Sequence, residues 1–118
     1  WGCANLEKVT YTNGAGTIGF ACFAECKKLK SVAIPEGISA IDKSCFANCK
    51  KLKQINLPST LKTIGENGFY GCTGLRTVTV KGRVKKCKII LKTKAAKKSK
   101  KVFAKELKQE GNKKVKIK

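Results

Sequence analysis

Histidine and methionine are absent from this sequence, aspartate occurs once, at Asp42, and proline twice, at Pro35 and Pro58. Without histidine there is no Ser-His-Asp or Cys-His pair and no imidazole metal ligand. Lysine and glutamate remain as acid–base groups, but the usual catalytic toolkit is missing, and the chain is read as no enzyme. No apolar run approaches the roughly 20 residues that a membrane-spanning helix needs, and no signal-peptide pattern is present. Methionine is missing at position 1 as well, so the chain is expected to be a processed or excised piece of a longer one. No cofactor is expected.

Negative charge is scarce too. Against 27 Lys and Arg stand 7 Asp and Glu, for a net charge of +20 in 118 residues. Residues 1–80 contribute +5 of this and residues 81–118 contribute +15. A basic end of this kind points to a polyanionic partner, or else to a lysine surface that only solvates the protein. Lysine dominates it and arginine occurs there only at Arg83, which suits point-charge attraction better than base-specific readout. No sequence-specific nucleic-acid partner is expected.

What the sequence has is a period. Cys3, Cys26, Cys49 and Cys72 are spaced 23 residues apart, and Leu6, Leu29, Leu52 and Leu75 follow the same step. So do Val9, Val32, Ile55 and Val78; Tyr11, Ile34, Leu57 and Val80; and Phe23, Phe46 and Phe69. A further column runs Ile18, Ile41, Ile64 and Cys87. Each unit reads C-x-x-L-x-x-V-x-I, then often proline and a turn. In the L-x-x-V-x-I block alternate residues of a short strand point inward, with Ala33, Asn56 and Thr79 outward. Pro35 and Pro58 should end their strands, because proline cannot donate to a continuing ladder. The apolar spacing of three and four in "GFACFAECKKL" predicts short helical turns on the opposite face. One unit cannot bury both faces, so the units must stack into a solenoid.

The stretches "TIGFACFAECKKLKSVAIPEGIS", "AIDKSCFANCKKLKQINLPSTLK" and "TIGENGFYGCTGLRTVTV" resemble the BspA-like, or Treponema-type, class of leucine-rich repeats. The resemblance implies an α/β repeat solenoid: a right-handed coil with a parallel sheet on one face, short helical turns on the other and a strand-helix-strand end. It also implies a bacterial cell-surface or secreted location. The repeats occupy residues 1–87, about three and a half units, and residues 88–118 form a basic capping segment. Cys22 and Cys45 stand where the family usually has alanine, and no proline follows Val80.

Two chemical patterns compete with the repeat. Gly14, Gly16 and Gly19 spell G-x-G-x-x-G, the turn that lets a backbone cradle a pyrophosphate. In the 23-residue register, however, Gly14 matches Gly37, Gly16 matches Ser39 and Gly19 matches Asp42 and Gly65, so these are shared turn positions. The following helix would also be too short for a crossover. Cys22 and Cys26 form C-x3-C, repeated at Cys45 and Cys49, and four thiolates could ligate zinc. The alternative, favoured here, is a core column of small, reduced cysteines. Disulfides are the third reading, with an odd count of 7 cysteines leaving at least one unpaired within the chain.

After Val80, Val84 and Cys87 continue the columns of Leu61 and Ile64. "CKIIL" reads as a final strand, and Ala96, Phe103 and Leu107 lie near helical spacing. Gly111 is placed to end that helix, and "KKVKIK" reads as an edge strand. At the other end Trp1-Gly2-Cys3 opens mid-unit, which predicts missing upstream repeats, end-to-end self-association through that coil, or Trp1 folding over as a lid.

The expected function is a non-catalytic protein- or glycan-interaction scaffold of adhesin type, its partner host-derived in the simplest case. Its concave-face candidates are Lys8, Thr10, Ser31, Ala33, Gln54, Asn56, Thr77 and Thr79. The alternative is an electrostatic anchor to a wall polymer, sulfated glycan or non-specific nucleic acid. Its contacts would be Lys94, Lys97, Lys98, Lys100, Lys101, Lys105, Lys108, Lys113 and Lys114.

Overall fold

A computed structural model describes residues 3, 5–10, 16–80, 90–91, 104–105, 107–108, 111–112 and 116–117. Strands β1 (Lys8–Thr10), β3 (Ser31–Ala33), β5 (Gln54–Leu57), β7 (Thr77–Val80) and β9 (Lys116–Ile117) make one parallel sheet in that order. Strands β2 (Gly16–Ile18), β4 (Ile38–Ile41), β6 (Thr63–Ile64) and β8 (Ile90–Leu91) make a second parallel sheet. This is a leucine-rich-repeat fold with two sheets, each unit adding one strand to both.

The periodic columns are the register. Val9 pairs with Val32, Val32 with Ile55 and Ile55 with Val78, each exchange crossing one repeat. Val32, Ile55 and Val78 are buried, while Ala33 between its two inward neighbours is exposed. β3 and β5 stop at Ala33 and Leu57, ahead of Pro35 and Pro58. Leu29, Leu52 and Leu75 are fully buried, and Leu6 packs against the same core. Phe23, Phe46 and Phe69 stack nearly parallel, with centroids 5.3 and 5.4 Å apart. Offset stacking at this distance adds about 0.5–1.5 kcal/mol per pair beyond area burial.

The expected helical turns between residues 19 and 28 do not form. Ala21 and Glu25 lie at φ 48° and 61°, Ser44 and Asn48 at 55° and 59°, Asn67 and Gly71 at 57° and 72°. Two left-handed residues per unit interrupt any right-handed helix. Their strain is held by hydrogen bonds between units: Ala21, Phe23 and Glu25 donate N–H to the carbonyls of Lys43, Cys45 and Ala47 at 3.0, 2.8 and 2.8 Å. The intervening Cys22, Ala24 and Cys26 donate three residues back. Backbone groups that a helix would satisfy internally are thus spent on the neighbouring unit.

The column of Ile18, Ile41 and Ile64 also ends otherwise than expected. Leu91 of β8, not Cys87, lies opposite Ile64, so the last step is four residues longer than the repeat. Cys87, Ala96, Phe103 and Trp1 lie outside the described residues. Residues 104–105 and 107–108 are helical, and Leu107 is fully buried in the same core as the repeats.

Candidate functional site

The cysteines were the strongest candidates for chemistry, and their surroundings assign them a structural task. Cys26, Cys49 and Cys72 have no exposed surface. The Cys49 thiol donates to the Phe23 carbonyl at 3.0 Å, and the Cys72 thiol donates to the Phe46 carbonyl at 3.0 Å. Each of these carbonyls also accepts the N–H of the cysteine three residues on, so both lone pairs are used. Beyond Cys72, the last cysteine of this column, Asn112 takes the same place: its Nδ2 donates to the Phe69 carbonyl at 3.0 Å and to the Leu107 carbonyl at 2.8 Å. Sequence reading missed this substitution because Asn112 is 40 residues beyond Cys72, outside the 23-residue step.

Burial pushes the Cys26 thiol up to about 11 and the Cys45 thiol up to about 12. These two thiols are poor nucleophiles and poor metal ligands, whereas the side-chain hydrogen bond with Cys72 holds the Cys49 thiol below its ordinary value. Cys22 departs from the expected buried role and is exposed, as is Cys3; among the described residues no unit covers their outer side. The six described cysteines are not disulfide-bonded, and no group of three or more His, Cys, Asp or Glu among the described residues could hold a metal ion.

The glycine pattern is likewise absorbed. Gly16 lies in β2 and donates its N–H to the Gly37 carbonyl at 3.3 Å, so that N–H is not presented to a phosphate. Gly14 lies outside the described residues.

The sheet candidates do come together. Lys8, Ser31, Gln54 and Thr77 lie opposite one another in one row, to which β9 adds Lys116. Thr10, Ala33, Asn56 and Thr79 form the next row. Lys8, Ala33 and Gln54 are exposed; Ser31, Asn56, Thr77 and Thr79 are half-buried. Of the basic tail, Lys105 and Lys108 are exposed, whereas Lys94, Lys97, Lys98, Lys100, Lys101, Lys113 and Lys114 lie outside the described residues. Among the described residues no helix is long and apolar enough to cross a membrane.

A row that sequence reading passed over borders the first sheet. The N–H of Lys30 donates to the Glu7 carbonyl, that of Lys53 to the Lys30 carbonyl and that of Arg76 to the Lys53 carbonyl, at 2.8, 2.9 and 2.9 Å. The signal was present in the repeated C-K-K-L-K, whose basic positions recur at the same step as the core.

Two solved structures share this architecture. A leucine rich cell surface protein from Faecalibacterium prausnitzii aligns at 34% identity with a TM-score of 0.66, over 70% of this chain and 22% of its own. A leucine-rich repeat protein from Bacteroides ovatus aligns at 28% identity with a TM-score of 0.53, over 73% of this chain and 26% of its own. The chain therefore spans about a quarter or less of the length of each. No curated protein matches it. The BspA type leucine rich repeat region matches in 6 copies across residues 1–105. With that match, the 23-residue columns and the two in-register parallel sheets, the chain belongs to the BspA-type leucine-rich repeat family.

Proposed function

We propose that this chain is part of a bacterial cell-surface protein and works there as a non-catalytic scaffold that binds a protein or glycan. The observation that carries the reading is the pair of outward rows on the first sheet, held in register by a core that does not depend on what those positions are. Such a surface can vary its side chains while the fold stays constant. In this reading the units wind as a right-handed solenoid, the hand that parallel strand connections strongly prefer. Residues 88–118 close its C-terminal end. Support for that closure comes from Leu107 and Asn112, buried against the last repeat, and from β8 and β9, which extend the two sheets. At the opposite end β1 and β2 have no outer partner among the described residues, and end-to-end association through them belongs to the same proposal.

The test is binding to a panel of purified matrix proteins and glycans by the chain and by a Ser31→Glu/Gln54→Glu/Thr77→Glu variant. Binding to a panel member that the variant loses, with an unchanged melting temperature, supports the scaffold. Binding that the variant retains in full moves the site off this sheet.

A second reading has its own observation. The last 38 residues carry a net +15, and Lys105 and Lys108 are exposed. An electrostatic anchor there would bind any dense polyanion, weaken steeply with salt, and vanish when the chain is cut near Cys87.

A further inference from the structure

The basic charge of the repeats recurs with the 23-residue step. In the segments 26–30, 49–53 and 72–76, the cysteine and leucine are fully buried. The positions between and after them therefore face outward: Lys27, Lys28 and Lys30, then Lys50, Lys51 and Lys53, then Arg76, all exposed. The backbone ladder that joins Lys30, Lys53 and Arg76 sets them one strand spacing apart, about 4.8 Å. Like charges carried on neighbouring units repel one another unless a counter-charge lies between them.

Two 23-residue steps relieve such repulsion by setting a carboxylate against a lysine. Glu7 sits 3.8 Å from Lys30, and Glu66 sits 3.9 Å from Lys43. Along the corner formed by segments 26–30, 49–53 and 72–76, such relief stops after the first unit. Glu7 meets Lys30, and Asn5 accepts from Lys28 at 3.2 Å. Among the described residues, Lys27, Lys50, Lys51 and Lys53 have neither ion-pair nor hydrogen-bond partners for their ammonium groups. The three segments contain no carboxylate.

We infer that this corner is a binding site for a linear sulfated polysaccharide lying along the repeat axis, with Lys27, Lys50, Lys51, Lys53 and Arg76 as its charge contacts. The inference rests on the scaffold reading and names its ligand class. A strip of ammonium groups matches a chain that carries an anion at regular intervals. Directly beside it runs the row of Ser31, Gln54 and Thr77, whose hydroxyl and amide groups can exchange hydrogen bonds with sugar hydroxyls. A nucleic acid fits less well. No aromatic platform lies in the corner segments, the exposed Phe20 and Tyr70 falling outside them, and the one arginine there already donates from Nη1 to the Thr73 and Leu75 carbonyls.

Immobilised heparin tests this with the full chain, neutral dextran and single-stranded DNA serving as comparison ligands. Replacing Lys27, Lys50, Lys51 and Lys53 by Gln is expected to weaken heparin binding about tenfold or more and to flatten its salt dependence. Removing the same charge from the tail, with Gln at Lys97, Lys98, Lys100 and Lys101, should change it less than about threefold. A footprint on the unaltered chain gives an independent readout: heparin should shield Lys50, Lys51 and Lys53 from acetylation more than the tail lysines.

Loss of binding with the tail variant, or shielding confined to the tail, overturns the corner site in favour of the anchor. Tighter binding to single-stranded DNA overturns the ligand class. No heparin binding at physiological salt also overturns it, while the scaffold reading then stands or falls on the protein panel alone.

Discussion

Asn112 offers the sharpest test of how the repeats are closed. Its Nδ2 replaces the thiol of a next repeat, donating to the Phe69 carbonyl as Cys49 and Cys72 donate to those of Phe23 and Phe46. Among the described residues its buried Oδ1 has no hydrogen-bond partner. Asn112→Asp keeps the shape and removes the donor. Two hydrogen bonds are lost at about 1 kcal/mol each, and a buried acceptor then faces two carbonyl oxygens for roughly 1–3 kcal/mol more. The expected cost at pH 7 is about 3–5 kcal/mol, a large fraction of a domain's total stability. Asn112→Cys restores a donor of the kind used by the column and removes the orphaned oxygen, so it should stay within about 1 kcal/mol of the parent. Urea unfolding of the three proteins measures both. Burial against carbonyls raises the carboxyl's folded pKa above its unfolded value near 3.9. A raised acid pKa costs stability as pH climbs through and above the unfolded value, so the Asn112→Asp deficit should shrink as pH falls toward 4. Equal urea midpoints for the parent and Asn112→Asp at pH 7 would refute the donor role.

The aromatic stack predicts a gradient: Phe46→Ala should cost about 3–5 kcal/mol in chemical denaturation, and Phe23→Ala less, because Phe23 is half-buried whereas Phe46 has no exposed surface. A Cβ on Gly74 would run into the Lys50 carbonyl oxygen, whereas one on Gly19 meets nothing within 4 Å. Gly74→Ala is therefore expected to lower stability by about 1–3 kcal/mol, and Gly19→Ala to leave the melting curve nearly unchanged. Alkylation followed by mass spectrometry should label Cys3 and Cys22 in the native protein, but Cys26, Cys45, Cys49 and Cys72 only on unfolding. Burial first, and Cys22 beside it second, hold the Cys45 thiol at about 12 against an ordinary 9.0. Its stabilisation is full below pH 9 and declines between 9 and 12, as the unfolded thiol ionises first; Cys45→Ala should remove that part of the decline.

The sequence by itself determined the repeat step, the identity of the inward columns and the strand register of the first sheet. The reason is geometric: when apolar residues recur every 23 positions, stacking like on like is the arrangement that buries all of them, and Val32, Ile55 and Val78 had no alternative partners. The outward rows follow from the same register, which is why Ser31, Gln54 and Thr77 share one row. The turn conformation did not follow. An apolar spacing of three and four suits a helix, and only the neighbouring unit's carbonyls, reached by the N–H groups of Ala21, Phe23 and Glu25, make the left-handed turns the better choice. The C-terminal end was equally a decision of tertiary structure. Once the period stops, contact with the last repeat selects the residue, and Leu91 and Asn112 take the places that Cys87 and a fifth cysteine would have held. Periodicity specifies a partner wherever a repeat has a successor; at the end of the array, the exposed core and its unpaired carbonyls choose whatever nearby side chain can cover and satisfy them.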